Sequence, residues 1–223
     1  MSLLTFRFWL YVLTDYFYIV PVICAFFSWK KLSKGQKWLT LYFLIYFIIN
    51  VFSYFIQTKN LFLFPVYSLV DCICLFFVYK HFFQKPFYLK ALNYIFTFAV
   101  CSLVLDICWI IDFKNEENYF SEVIISLCVF GVSAFYFVIF LSNKIQKNIS
   151  DEVNLFIALS LMITFFLKAV FSFFNKYLQE TQSNDYLTAQ FDNFYNFYVI
   201  ISLLIVSWAF YQIKIGRTEI LHE

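Results

Sequence analysis

The sequence has few charged residues, few glycines and few prolines. Only 13% of its 223 residues are Asp, Glu, Lys or Arg, whereas 63% are hydrophobic. A soluble globular domain cannot bury this much apolar surface, so the composition excludes that class. The three glycines and three prolines leave long stretches without a helix breaker, and the glycines provide no G-x-x-x-G motif for helix dimerisation.

Patterns for catalysis and metal binding are also scarce. The chain has only two histidines, and no predicted helix has paired histidines, a serine with a neighbouring base or a His and Glu zinc pattern. The six cysteines fall in apolar segments, and the C-x-C of Cys72 and Cys74 has no second pair to complete a metal site. We therefore expect no enzyme, no cofactor and no metal site.

Long apolar runs separated by short polar connections fill the chain. Because a bilayer core needs about 20 apolar residues per helix, the sequence predicts an all-α integral membrane bundle of seven transmembrane helices in a single domain, residues 1–223. The predicted spans are residues 8–29, 38–57, 61–80, 89–111, 121–142, 153–175 and 193–213. We expect the first span to be retained, since no small-residue cleavage site follows it. The connections are too short for a catalytic or nucleic-acid-binding domain.

Basic residues alternate between the two ends of this predicted bundle. The connections after the first, third and fifth spans, with the C-terminal tail, hold eleven Lys or Arg residues, and the opposite end holds four. Acidic residues have the reverse bias, with seven at the end that is poor in lysine and four at the other. Because basic loops stay in the cytoplasm, we expect the N-terminus outside, the C-terminus in the cytoplasm, and membrane lipid as a partner.

Ionisable and polar residues inside the predicted spans form the candidate ligand-binding site. Asp15, Asp71, Asp106 and Lys168 are costly in hydrocarbon, and such residues mark functional sites by default. At about 1.5 Å of rise per residue, all four lie in the outer half of the membrane. Uncharged polar residues continue the same helix faces and complete the candidate site: Ser68, Thr164, Ser172, Asn50, Gln57 and Asn196.

The inner halves of the spans, in contrast, read as nearly unbroken apolar runs, such as residues 19–27, 41–49 and 203–210. This asymmetry predicts a polar cavity that opens outward and is closed inward. Three intramembrane acids and one lysine make the site net negative, which attracts cations.

Asp71 is the expected central anion of this cavity, with Lys168 as its partner and Asp15 and Asp106 at the mouth. Other interpretations stay open. Asp15 and Asp106 can simply face headgroup water, and an Asp71–Lys168 contact can be a packing ion pair without a ligand.

Two known seven-helix classes fit the sequence poorly. A retinal protein needs its Schiff-base lysine in the seventh span, which contains no lysine, whereas Lys168 lies in the sixth. A carrier built from two related three-helix halves would have similar third and seventh spans, but residues 64–70 and 195–201 are only faintly alike.

The third span offers one further likeness. Residues 63–80 resemble the third helix of small, uncharacterised seven-helix bacterial membrane proteins, with Tyr67, Ser68 and Asp71 in the aromatic, hydroxyl and acidic positions. This resemblance implies a bacterial inner membrane and no particular activity.

Two functions agree with these features. The first is a non-enzymatic sensor or carrier that binds a small cationic or protonatable ligand, or a proton, in the outward cavity. The second is an accessory or effector membrane protein, such as a partner-regulated pore in a defence operon or a partner of another membrane protein. Its basic inner surface, residues 30–37 with Lys144 and Lys147, would meet an acidic protein on the cytoplasmic side, although positive-inside topology and anionic lipid also explain that surface.

Overall fold

The computed structural model describes residues 3–55, 63–83, 85–110, 119–142, 149–180 and 185–215, and the regular structure of these residues is entirely helical. Seven helical segments of the described chain are long and apolar enough to cross a membrane, so the all-α class and the expected number of such helices are confirmed. The helices are α1 Leu3–Phe17, α2 Ile19–Ser28, α3 Lys34–Ser53, α4 Leu63–Phe82, α5 Pro86–Leu105, α6 Tyr119–Ser142, α7 Ile149–Glu180 and α8 Asp185–Ile215. A π-helical turn, Asp106–Ile110, follows α5.

The first span consists of two helices, α1 and α2, that are interrupted at Tyr18. Pro21 has no N–H, so the carbonyl of Phe17 lacks the donor that an uninterrupted helix would supply. The backbone of Tyr18 keeps helical dihedral angles, φ −57° and ψ −22°. The helical path therefore continues past the interruption, and Thr5–Ser28 is one segment that is long and apolar enough to cross a membrane.

The spans pack in chain order around a closed ring. From α3 to α8 each helix packs against the next one along the chain, and α1 and α2 pack against both α3 and α8 to close the ring. α4 also packs against α6. As a result the buried face of α4, with Ser68, Asp71, Leu75 and Tyr79, lies among side chains from several helices.

Polar contacts join the helices at one end of the bundle. Ser33 and Gln36 form a capping box at the start of α3, and Gln36 Nε2 donates to Asn154 Oδ1 on α7 at 2.9 Å. Ser28 Oγ donates to the carbonyl of Phe210 on α8 at 2.9 Å. The connection between α2 and α3, the start of α7 and the end of α8 thus meet at one end, as the predicted alternation requires.

At the other end of the bundle, the Arg7 guanidinium pairs with the Asp192 carboxylate. This contact joins α1 to α8 near the N-terminal end of each. The two termini of the first span are therefore both attached to α8, by polar contacts that the apolar lipid cannot replace.

Candidate functional site

Asp71, on α4, is the centre of the site and is completely buried. Its Oδ1 accepts hydrogen bonds from the phenols of Tyr46 at 2.6 Å and Tyr42 at 3.1 Å, both on α3. Its Oδ2 accepts from Lys168 Nζ, on α7, at 2.8 Å. The opposite charges of Asp71 and Lys168 and their similar predicted depth in the membrane suggested that they pair, and the two side chains do form an ion pair. The three donors supply what a buried carboxylate needs in place of water.

Lys168 also faces a second carboxylate. Its Nζ lies 3.5 Å from Glu122 Oε1 on α6, and Glu122 Oε2 accepts a hydrogen bond from Ser172 Oγ at 2.9 Å. The side chains of Lys168 and Glu122 are 13% and 16% exposed, against 0% for Asp71. We call Asp71, Glu122 and Lys168 the charge triad; it contains one more negative group than positive groups.

Sequence reasoning missed Glu122 as a site residue, because it assigned this acid to the polar surface outside the membrane. Glu122 lies in the first turn of α6, where its carboxylate reaches Lys168 and Ser172 in the C-terminal half of α7. The sequence contains a signal for Glu122. Lys168 and Ser172 lie one turn apart on one polar face of α7, and Glu122 lies at the start of the preceding span, which is the expected neighbour of that face.

Tyr42 and Tyr46 were also missed, because residues 41–49 were predicted to be an apolar run. That prediction is wrong for this stretch, since both phenols are hydrogen-bonded to a buried carboxylate. Tyr42, Tyr46 and Asn50 recur every fourth residue and share one face of α3. Tyrosine satisfies an apolar pattern with its ring and a buried charge with its hydroxyl, so hydropathy alone does not reveal it.

A second group of polar side chains, the Asp15 cluster, consists of Asp15, Asn50, Tyr54 and Tyr67. Asp15 Oδ1 accepts from Asn50 Nδ2 at 2.9 Å, and Oδ2 accepts from the Tyr54 phenol at 2.7 Å. The Tyr67 phenol donates to Asn50 Oδ1 at 2.6 Å. Asp15 is 8% exposed, so this carboxylate does not simply face headgroup water. The structure thus brings the predicted residues Asp15 and Asn50 together.

The Asp15 cluster and the charge triad are neighbours. Asn50 and Tyr46 lie one turn apart on α3, and Tyr67 and Asp71 lie one turn apart on α4. The ring of Tyr67, in the Asp15 cluster, lies 5.0 Å from the ring of Tyr46, whose phenol donates to Asp71 of the charge triad. The two groups are therefore connected by packed tyrosine rings.

The remaining predicted residues occupy different positions. Thr164 Oγ1 donates to Ser202 Oγ, on α8, at 2.7 Å, one turn from Lys168. Asn196 Nδ2 donates at 2.9 Å to the carbonyl of Asp192 on its own helix. Ser68 is buried on α4, one turn from Asp71 and Cys72. Gln57 lies outside the described residues.

Asp106 is buried in the π-helical turn after α5. Its Oδ2 accepts a hydrogen bond from the backbone N–H of Ser121 at 2.8 Å, and this N–H belongs to the first turn of α6, where backbone donors lack helical partners. Asp106 thus caps the N-terminus of α6. Among the described residues it forms no ion pair with the charge triad. Its position at the mouth of a cavity stays a prediction.

The basic end of the bundle contains lysines that contact their own chain. Lys31 Nζ donates to the carbonyl of Lys214 at 3.2 Å, and Lys37 Nζ lies 5.4 Å from the centre of the Trp29 ring. Lys144 and Lys147 of the predicted partner surface lie outside the described residues. An acidic protein partner stays a prediction from the sequence.

Comparison with known proteins adds no relative: no protein-family model, no curated protein and no solved structure matches this chain. The function must therefore be inferred from the chemistry of the charge triad and its surroundings.

Proposed function

We propose that this chain is a multi-pass membrane carrier or sensor, without catalytic activity, that binds a small cationic or protonatable ligand at the charge triad. The single observation behind the proposal is that Lys168 Nζ lies between two carboxylates, 2.8 Å from Asp71 Oδ2 and 3.5 Å from Glu122 Oε1. The triad is a cation site that is filled by a cation of the chain itself.

A ligand with an ammonium group or another single positive charge would exchange with Lys168. Leaving Asp71 and Glu122 without any cation in a membrane interior is costly. Replacing one cation by another avoids most of that cost. The difference in exposure supports an order of events, in which the ligand first meets Glu122 and then reaches the completely buried Asp71 as Lys168 withdraws.

Tyr42 and Tyr46 would hold Asp71 in place during this exchange. Both phenols donate to Oδ1, whereas Lys168 donates to Oδ2. The ligand therefore needs to replace one donor of three. The ring of Phe165, 5.7 Å from Lys168 Nζ, adds an aromatic face to the cation position.

The proposal places the N-terminus outside and the C-terminus in the cytoplasm of a bacterial inner membrane. The excess of lysine and arginine at one end supports this orientation. Glu122 and Ser172 lie near the end of the bundle that holds the Arg7–Asp192 pair, which is the outer end in this orientation. The triad would thus be reached from outside.

Electrical recording from proteoliposomes on a solid-supported membrane tests the proposal, since it detects charge movement when a cation binds or crosses. We expect wild-type protein to respond to rapid addition of ammonium or methylammonium. Asp71→Asn, which keeps the shape and removes the anchor charge, should abolish the response. Asp151→Asn, a matched change in the first turn of α7, should leave it intact. Equal responses from wild type and Asp71→Asn, or no response from wild type, would overturn the proposal.

A further inference from the structure

Asp15 is a buried carboxylate without a basic partner among the described residues. The ion pairs of the described chain are Arg7–Asp192 and those of Lys168 with Asp71 and Glu122. Among the residues that the structure describes, the donors to Asp15 are neutral, namely the amide of Asn50 and the phenol of Tyr54. A carboxylate in a membrane interior normally pairs with a cation, because neutral hydrogen bonds do not cancel its charge.

The side chains around Asp15 offer oxygen atoms from three helices. The two carboxylate oxygens belong to α1. The side-chain carbonyl oxygen of Asn50 belongs to α3, and the Tyr54 hydroxyl belongs to the residue that follows α3. The Tyr67 hydroxyl belongs to α4. The interruption of the first span at Tyr18 lies three residues after Asp15. Carboxylate, amide and main-chain oxygens at an interrupted membrane helix are the groups that coordinate Na⁺ in membrane carriers.

We propose that the Asp15 cluster is a second site, distinct from the charge triad, and that it binds a small monovalent inorganic cation, Na⁺ or a proton. Either ion would neutralise Asp15 and draw on the same oxygen atoms. The charge triad already has its resident ammonium in Lys168, whereas no Lys or Arg among the described residues pairs with the Asp15 cluster, so the inorganic cation belongs here.

Binding at this site is coupled to the triad through Tyr67 and Tyr46. An ion at Asp15 competes with the Asn50 amide for the carboxylate, and a turn of that amide changes the hydrogen bond from Tyr67. The Tyr67 ring packs against Tyr46, which donates to Asp71. This coupling rests on the proposed function of the triad, whereas cation binding by Asp15 does not.

The groups around Asp15 make it the titratable side chain of this site. Phenols face it from the packed helices, namely Tyr18 at the α1–α2 interruption, Tyr54 after α3 and Tyr67 on α4. The ion pair between Arg7 on α1 and Asp192 on α8 is farther away, since Arg7 lies about two helical turns before Asp15. Phenols stay protonated in the range where a carboxylate changes charge.

Thermal unfolding of the full chain in lipid nanodiscs tests the second site without knowledge of any organic ligand. The Tm is measured in NaCl and in choline chloride at equal ionic strength, each over a series of pH values. If Na⁺ binds, the Tm of wild type is higher in NaCl at fixed pH. If a proton binds, the Tm is equal in the two salts and rises as the pH falls.

Asp15→Asn should remove whichever response wild type has, because the uncharged amide needs no cation. Asp151→Asn, a matched change in the first turn of α7, should keep the response. Retention of the response in Asp15→Asn, or a wild-type Tm that depends on neither ion, would overturn the proposal. If Asp15→Asn does not fold, Tyr54→Phe supplies the test, and an unweakened ion response in that variant contradicts the site.

Discussion

At the scale of single residues, Asp71 illustrates how a charge is kept inside an apolar bundle. Its carboxylate has a cation on one oxygen and two phenols on the other, so no lone charge is left in a medium that cannot solvate it. Sequence reasoning predicted Lys168 from its opposite sign and similar depth. It could not predict the phenols, because a tyrosine in an apolar run has the same hydropathy pattern whether its hydroxyl is used or not.

The two phenols should differ in their contribution to stability. Tyr46 is 2.6 Å and Tyr42 3.1 Å from Asp71 Oδ1, and a hydrogen bond to a charged group contributes about 1.5–3 kcal/mol. We expect Tyr46→Phe to lower the free energy of unfolding by about that amount and Tyr42→Phe by less. Reversible unfolding in mixed micelles measures both. Tyr94→Phe, at a position that is 77% exposed, is the control, and a Tyr46→Phe effect no larger than this control would contradict the assignment.

At the scale of helices, the three prolines have different consequences because of their positions. Pro65 and Pro86 lie in the first turns of α4 and α5, where a backbone N–H would have no helical partner. Pro21 lies in the middle of the first span and interrupts it. The sequence placed Pro21 inside a span but did not predict the interruption, since hydropathy measures the length of an apolar segment and not its hydrogen bonds.

Replacing Pro21 by alanine should join α1 and α2 into one continuous helix. The alanine would donate its backbone N–H to the Phe17 carbonyl, so amide hydrogen exchange near residues 18–22 should become slower in hydrogen-exchange mass spectrometry. Pro65→Ala is the matched control, and we expect no slowing around it. If Pro21→Ala exchanged as fast as wild type in this segment, the proline would not be the cause of the interruption.

The start of α3 packs closely on the end of α4. A Cβ atom at Gly35 would lie 2.8 Å from a ring carbon of Phe82 and 3.0 Å from the Val78 carbonyl oxygen, whereas one at Gly131 would meet nothing within 4 Å. We therefore expect Gly35→Ala to destabilise the protein by about 1–3 kcal/mol. Gly131→Ala should be neutral or stabilising, since alanine favours helix by about 1 kcal/mol. Equal unfolding free energies for the two variants would contradict this packing.

At the scale of the whole molecule, apolar length alone was enough to predict the number of spans, because the bilayer imposes the same length on each. The packing of the first span against α8 could not be predicted in this way, since it depends on which faces meet. Glu122 and Gln36 illustrate the same limit: each lies at a helix end that looks like polar surface in the sequence, and each contacts α7. The Asp71–Lys168 pair of the candidate site was therefore predicted from the sequence. Glu122, Tyr42 and Tyr46 were not, because their place in the site depends on how the helices pack into the closed ring.

The most direct test of the charge triad as a cation site compares opposite changes at its two ends in the proteoliposome recording. Asp71→Asn removes the anchor for the ligand and should abolish the response to methylammonium. Lys168→Met removes the resident competitor while leaving both carboxylates, so the response should persist and saturate at a lower methylammonium concentration than in wild type. If both variants lose the response to the same degree, the ion pair only stabilises the bundle and the proposed function is wrong.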